Sequence, residues 1–157
     1  MSALQDEERF MRRAIELSRR CLEEKCGPPF GSVIVKDGVI VGEGYNQVDR
    51  KGDPTSHGEI EAIRQACEAL GTADLSGCLL YASSEPCPMC SGAISMARLD
   101  GLVFGAAANL QKRWAGYTYP LTPDQLSLAT LQRKLPTRQM LAEEALAVVL
   151  SSGPRPD

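Results

Sequence analysis

Two short segments constrain the fold of this chain because they have to meet. One is Asp53-Pro54-Thr55-Ser56-His57-Gly58-Glu59, which holds the only histidine, and the other, about thirty residues on, is Glu85-Pro86-Cys87-Pro88-Met89-Cys90. An imidazole and two thiolates are soft ligands for one zinc ion. Three protein ligands leave a tetrahedral ion an open position, as in catalytic rather than structural sites. At that position the metal lowers the pKa of a water towards ~7 and makes it a nucleophile. Glu59 stands beside the ligands without needing to be one, which suits a general acid and base.

Apolar periodicity places both segments at helix starts. Residues 6–24 read as a helix with Phe10, Ala14, Leu17 and Cys21 on one face, ended by Gly27-Pro28-Pro29. Residues 32–35 and 39–42 read as strands, and Asp37-Gly38 between them is a hairpin signal. After a polar loop over 49–55, a second helix opens near His57, with Ile60, Ile63, Cys67 and Leu70 inward, and stops at Gly71. A strand over 79–82 leads to the cysteine motif, which opens a third helix, and a strand over 102–105 follows. Thr122-Pro123-Asp124 marks a further helix start, and Thr137 is expected to cap a last helix carrying Leu141, Leu146 and Val149. This order predicts an α/β fold: a mostly parallel sheet covered on both faces, with one antiparallel hairpin at its start. Residues 1–150 form a single domain in this reading and 151–157 a disordered tail. Both helix N-termini then face the metal, where their partial positive charge favours thiolate.

The net charge of −3 argues against a nucleic-acid partner, since such domains carry basic patches. Arg9, Arg12, Arg13, Arg19 and Arg20 alternate with acids and read as a solvated, ion-paired helix face. No apolar run approaches the ~18 residues of a membrane span, and the N-terminus is unlike a signal peptide. A cytoplasmic location follows, where six cysteines stay reduced and metal binding is the better use for Cys87 and Cys90. Other readings of the pair are a redox couple or a structural zinc site completed by Cys67 or Cys78, making the chain a non-catalytic interaction module. Cys67 is too far along its helix to reach the ion of His57, and Cys78 reads as a small apolar residue.

The His-x-Glu and Pro-Cys-x-x-Cys segments, with Pro29-Phe30-Gly31-Ser32 and residues 81–90, resemble the cytidine deaminase-like superfamily, most closely bacterial guanine deaminases. The likeness runs from the first helix to about Gly105. It implies a three-layer α-β-α fold around a five-stranded mixed sheet, one zinc per subunit, a homodimer and a small heterocyclic base as substrate. It implies that zinc-activated water attacks an amidine carbon while Glu59 shuttles protons. By the same resemblance Asn46 binds the ring edge, Phe30 lines the pocket, and Gly58 and the Glu85–Cys87 segment lie against the substrate. Trp114, Tyr117 and Tyr119 are candidates for a lid stacked on a flat ring. The chain departs from the pattern in two places. His57-Gly58-Glu59 stands for the usual His-Ala-Glu, and Ala115-Gly116-Tyr117-Thr118-Tyr119 lacks the paired aspartates of guanine deaminases. Glu143 or Glu144 could replace those acids if the last helix folds over the site. Guanine or a related purine is the leading substrate. Cytosine, a nucleoside or another small aminated ring is an alternative, and so is tRNA adenosine. The last calls for a basic-aromatic C-terminal helix where residues 140–146 are acidic and aliphatic.

Overall fold

A computed structural model describes residues 3–108 and 119–153. Its sheet has five strands in the order β2-β1-β3-β4-β5. β1 (Gly31–Lys36) and β2 (Val39–Tyr45) form the expected hairpin. Asp37 at φ 49° and Gly38 at φ 75° are both left-handed, giving the turn whose twist matches that of paired strands. β3 (Cys78–Ser84) pairs antiparallel with β1, and β4 (Gly101–Ala106) and β5 (Thr137–Gln139) add in parallel beyond it. Since β1 opposes both of its neighbours, β2, β3, β4 and β5 all run the same way. The expected direction holds, with one difference: the inner hairpin strand makes two antiparallel pairings, because β3 docks beside β1 and not beside β2.

Helices cover both faces. α1 (Ala3–Glu24) buries Phe10, Met11, Ala14, Ile15 and Leu17 over Val33, Tyr81 and Val103, and α6 (Ala142–Ser151) joins that layer through Ala145 and Val148. α3 (Gly58–Leu70) and α4 (Pro88–Met96) cover the other face, with Ala62, Ala66 and Ile94 over Ile34, Leu80 and Leu102. Three of the five arginines named in α1 are ion-paired, Arg12 with Glu8, Arg13 with Glu16 and Glu43, and Arg20 with Glu24, while Arg9 bonds the Gly38 carbonyl instead.

Several local expectations change. The expected 49–55 loop begins as a short helix, α2 (Val48–Lys51). α3 meets the sheet through Ala62 and Ala66, with Ile63, Cys67 and Leu70 packed at its flanks. α5 (Pro123–Leu131) starts at Thr122, whose hydroxyl and Gln125 form a reciprocal capping box. Thr137 caps no helix; it opens β5, because residues 137–139 pair with β4, and α6 begins only at Ala142. The helix runs to Ser151, into the expected tail, while 154–157 lie outside the described residues.

Strand direction decides where the site lies. Phe30 precedes β1, while Asn46, Glu85 and Ala107 follow β2, β3 and β4, so all stand at one edge of the sheet. α3 and α4 begin at this edge, which holds the carboxyl ends of the parallel strands, where α/β sheets bind ligands.

Candidate active site and metal centre

His57 is the N-cap of α3, Cys87 the N-cap of α4, and Cys90 lies one turn into α4 with its N–H directed at Cys87 Sγ, 3.5 Å away. Pro88 at the first helical position has the preset φ a helix start needs and no N–H to leave unpaired. The loop before His57 is tied by Asp53. One of its oxygens accepts from the Thr55 N–H (2.9 Å) and hydroxyl (2.7 Å), the other from the Ser56 hydroxyl (3.0 Å). The Thr55 carbonyl in turn accepts the His57 N–H at 2.8 Å. In the sequence Asp53 reads only as part of a polar loop; the tendency of aspartate to bond its own backbone two residues on is the signal that could have found its role.

The ligand atoms converge. His57 Nδ1 stands 3.6 Å from Cys87 Sγ and 3.5 Å from Cys90 Sγ, and all three atoms lie within 4.8 Å of one another. Tetrahedral zinc with Zn–S of ~2.3 Å and Zn–N of ~2.0–2.1 Å sets N···S edges at ~3.6 Å. The residues fit the ion. Neither Cys67 nor Cys78 joins this group, so the structural-zinc reading of the motif loses its support.

Proton affinities in the cluster are split. The hydrogen bond from Cys90, aided by His57, brings the Cys87 thiol down to about 4 against the effect of burial. Cys90 is raised well above the usual thiol range as the donor to Cys87, with burial adding to it. His57 is raised by its bond to Cys87. A divalent cation replaces these shared protons when it binds, so both sulfurs ligate as thiolates. Glu59 is only 5% exposed, and its Oε2 takes the Cys90 thiol at 3.5 Å. Burial raises its carboxyl, and the Cys87 thiolate adds to the rise.

Around the cluster, Gly58 is buried and Phe30 half-buried, and the Phe30 carbonyl accepts the Asn46 N–H at 2.9 Å. Asn46 is 2% exposed and its Oδ1 accepts the Val48 N–H at 2.9 Å, which leaves the amide hydrogens to other use. Glu85 extends the pairing of β3 with β4: its N–H bonds the Ala106 carbonyl at 2.8 Å and its carboxylate takes the Ala108 N–H at 2.9 Å. It lines a cavity of about 150 Å³ with Pro86, Ala108, Tyr119, Thr122 and Gln125. Trp114 and Tyr117 lie outside the described residues. Glu144 is directed away, onto Arg12 of α1 at 3.3 Å, and Glu143 is exposed on α6.

The model of the cytidine and deoxycytidylate deaminase zinc-binding region matches residues 4–106. The chain belongs to this family. It is a zinc-dependent hydrolytic deaminase. A guanine deaminase of Bacillus subtilis (strain 168) is 42% identical over 140 residues, 89% of each chain. A tRNA-specific adenosine deaminase of Aquifex aeolicus (strain VF5) is 40% identical over 109 residues, 69% of this chain and 70% of that one. A solved guanine deaminase from Nitrosomonas europaea superposes with a TM-score of 0.79 at 26% identity, over 91% of this chain and 82% of the other. No helix among the described residues is long and apolar enough to cross a membrane.

Proposed function

We propose that this deaminase acts on a free aminated nucleobase, guanine or a related purine, releasing ammonia and leaving the ring carbonyl. The observation that carries the substrate is the reach of the likeness. Similarity to the Bacillus subtilis guanine deaminase spans 89% of the chain, whereas that to the Aquifex aeolicus tRNA deaminase spans 69%.

His57, Cys87 and Cys90 hold the zinc, which when bound supplies a Lewis acid that lowers the pKa of a water to ~7. Glu59 takes one proton from the attacking water and delivers it to the ring nitrogen beside the aminated carbon; it then takes the remaining proton of the added hydroxyl and passes it to the amine as the C–N bond breaks and the carbonyl forms. One carboxylate serves each transfer because every proton it gains it gives up again. Its burial keeps bulk water from competing for the proton. Asn46 donates to the ring edge, Phe30 lines one side, and the main chain at Gly58 and from Glu85 to Cys87 borders the reacting carbon.

The protein works in the cytoplasm in this reading, where its free cysteines stay reduced. A second copy covers α4 and α5, where Met89, Met96, Leu128 and Leu131 are exposed. Light scattering at micromolar concentration is expected to give a dimer mass; a monomer removes that part. A tRNA substrate is the second reading, kept by the 40% identity to a tRNA deaminase. The decisive experiment is an ammonia-release screen of zinc-loaded protein over guanine, adenine, cytosine, their nucleosides, triazines and a tRNA anticodon stem-loop. Guanine or another aminated purine should give the highest kcat/KM. Turnover of the stem-loop alone transfers the assignment to tRNA.

A further inference from the structure

The buried amide of Asn46 has a fixed orientation, and the residue that encloses it is Gly27. Asn46 Oδ1 accepts from the Val48 N–H, so the amide cannot be turned end for end without losing that bond. The other side of Oδ1 is closed by the main chain of the loop after α1. A Cβ built on Gly27 would stand 2.5 Å from Oδ1 and 3.3 Å from Cγ of Asn46, and Gly27 has φ +140°, a conformation that side-chain-bearing residues rarely adopt. Cys21 anchors this loop from below: its thiol donates to the Pro28 carbonyl at 3.2 Å and lies 3.4 Å from the carbonyls of Gly27 and Asn46. No hydrogen-bond partner for Asn46 Nδ2 is found among the described residues, although the residue is only 2% exposed. Buried donors without a partner are costly and persist where a ligand answers them. The Asn46 N–H is bonded to the Phe30 carbonyl, and the next N–H, of Gln47, is bonded to the Ser56 carbonyl at 2.9 Å, one residue before His57.

We propose that Gly27 determines specificity through Asn46: it seals the amide oxygen, so that Asn46 offers a base only hydrogen-bond donors and the site selects rings that present an acceptor there. The inference rests on the reading of this protein as a base deaminase and adds the chemistry by which it reads the base. Asn46 answers a ring nitrogen or a carbonyl oxygen and rejects an amino group. Gly27 is a positioning residue, touching Asn46 and not the substrate. Any side chain at 27 pushes the amide aside and exposes its oxygen.

A double-mutant cycle on zinc-loaded protein tests this, using guanine or whichever base the ammonia screen ranks first. Gly27→Ala should raise KM by about 10- to 100-fold, the effect of losing one answered buried donor, with kcat and zinc content little changed. In an Asn46→Ala background the same substitution should have no further effect on KM. Equal losses in both backgrounds overturn the proposal, since Gly27 then acts on the fold and not through Asn46. If Gly27→Ala fails to fold, Asn46→Asp decides, because it keeps the oxygen facing Val48 and removes both donors. Weakened base binding at unchanged zinc content and melting temperature supports the proposal, and a KM equal to wild type overturns it. Wild-type protein that releases ammonia from no free base removes the base-deaminase reading, and this inference with it.

Discussion

Replacing Gly58 by alanine tests how tightly α3 is seated. Gly58 is the first residue of the helix, between a metal ligand and the proton carrier. A Cβ there would stand 3.1 Å from the Phe30 carbonyl oxygen, 3.3 Å from Tyr45 Cα and 3.4 Å from Gly31 Cα. All three are main-chain atoms, so no side chain can swing clear, and helix and strand ends must part by a few tenths of an ångström. Two effects compete. Alanine favours the helix and restricts the unfolded chain, a gain of about 0.5–1 kcal/mol, nearer the lower figure at a first helical residue. Overpacking a close-packed seam costs about 1–3 kcal/mol. The second effect wins, and Gly58→Ala is expected to destabilise the protein by about 1 kcal/mol, a fall in Tm of about 2–4 °C at this size. Displacing His57 and Glu59 by the same small amount should lower kcat/KM by less than about tenfold, since misplacement by a full ångström costs ~10²-fold. Thermal and urea unfolding of both proteins at saturating zinc measures the difference with the metal contribution held equal. An unchanged or higher midpoint refutes the reasoning: the seam would then yield, and the tight contact would not explain a glycine where the family has alanine.

Four further outcomes follow from the same structure. Glu59→Gln should keep full zinc occupancy and lose roughly 10²- to 10⁴-fold in turnover, and near-normal turnover would show that Glu59 is not the proton carrier. His57→Ala should abolish zinc loading, as measured by metal analysis after dialysis, because the chain has no other imidazole. Arg133 donates to the carbonyls of Ser95 (3.4 Å), Arg98 (3.0 Å) and Leu99 (2.7 Å) at the end of α4, so Arg133→Met should cost about 1–3 kcal/mol in urea unfolding, and a loss below about 0.5 kcal/mol would mean that water replaces it. Glu24 is bonded by Arg20, Tyr45 and Arg50, which hold its carboxyl down at about 2. A lowered carboxyl stabilises fully above its ordinary value of ~4.3 and loses that contribution as pH falls towards 2. Glu24→Gln should therefore flatten the stability curve in that window alone, and an unchanged slope there would show that the cluster adds nothing.

Much of the site was legible because its chemistry is carried by residue type at short spacing. His57, Glu59, Cys87 and Cys90 name a metal, three ligands and a proton carrier, and the alternation of helix and strand puts them at two helix starts. Local signals fared equally well where the local rule is strong, as at the Asp37-Gly38 turn and the Thr122 cap. They failed where neighbours distant in sequence decide. Thr137 looks like a cap, but the free edge of β4 recruits residues 137–139 as a strand. Ile60 and Ile63 looked central to α3, yet the close approach of helix to strand admits only Ala62 and Ala66 at the contact.

By itself, then, the sequence named a metal, its three ligands and a proton carrier, and through its resemblance to a known family it implied the reaction. Only the tertiary structure decided how those groups stand to one another. The 3.5–3.6 Å edges of the ligand triangle require α3 and α4 to start at the same sheet edge. That in turn requires β1 to run against all the other strands. The enclosure of Asn46 was also beyond the sequence: its bond to the Val48 N–H is local, but the Gly27 main chain that closes its amide oxygen lies nineteen residues away.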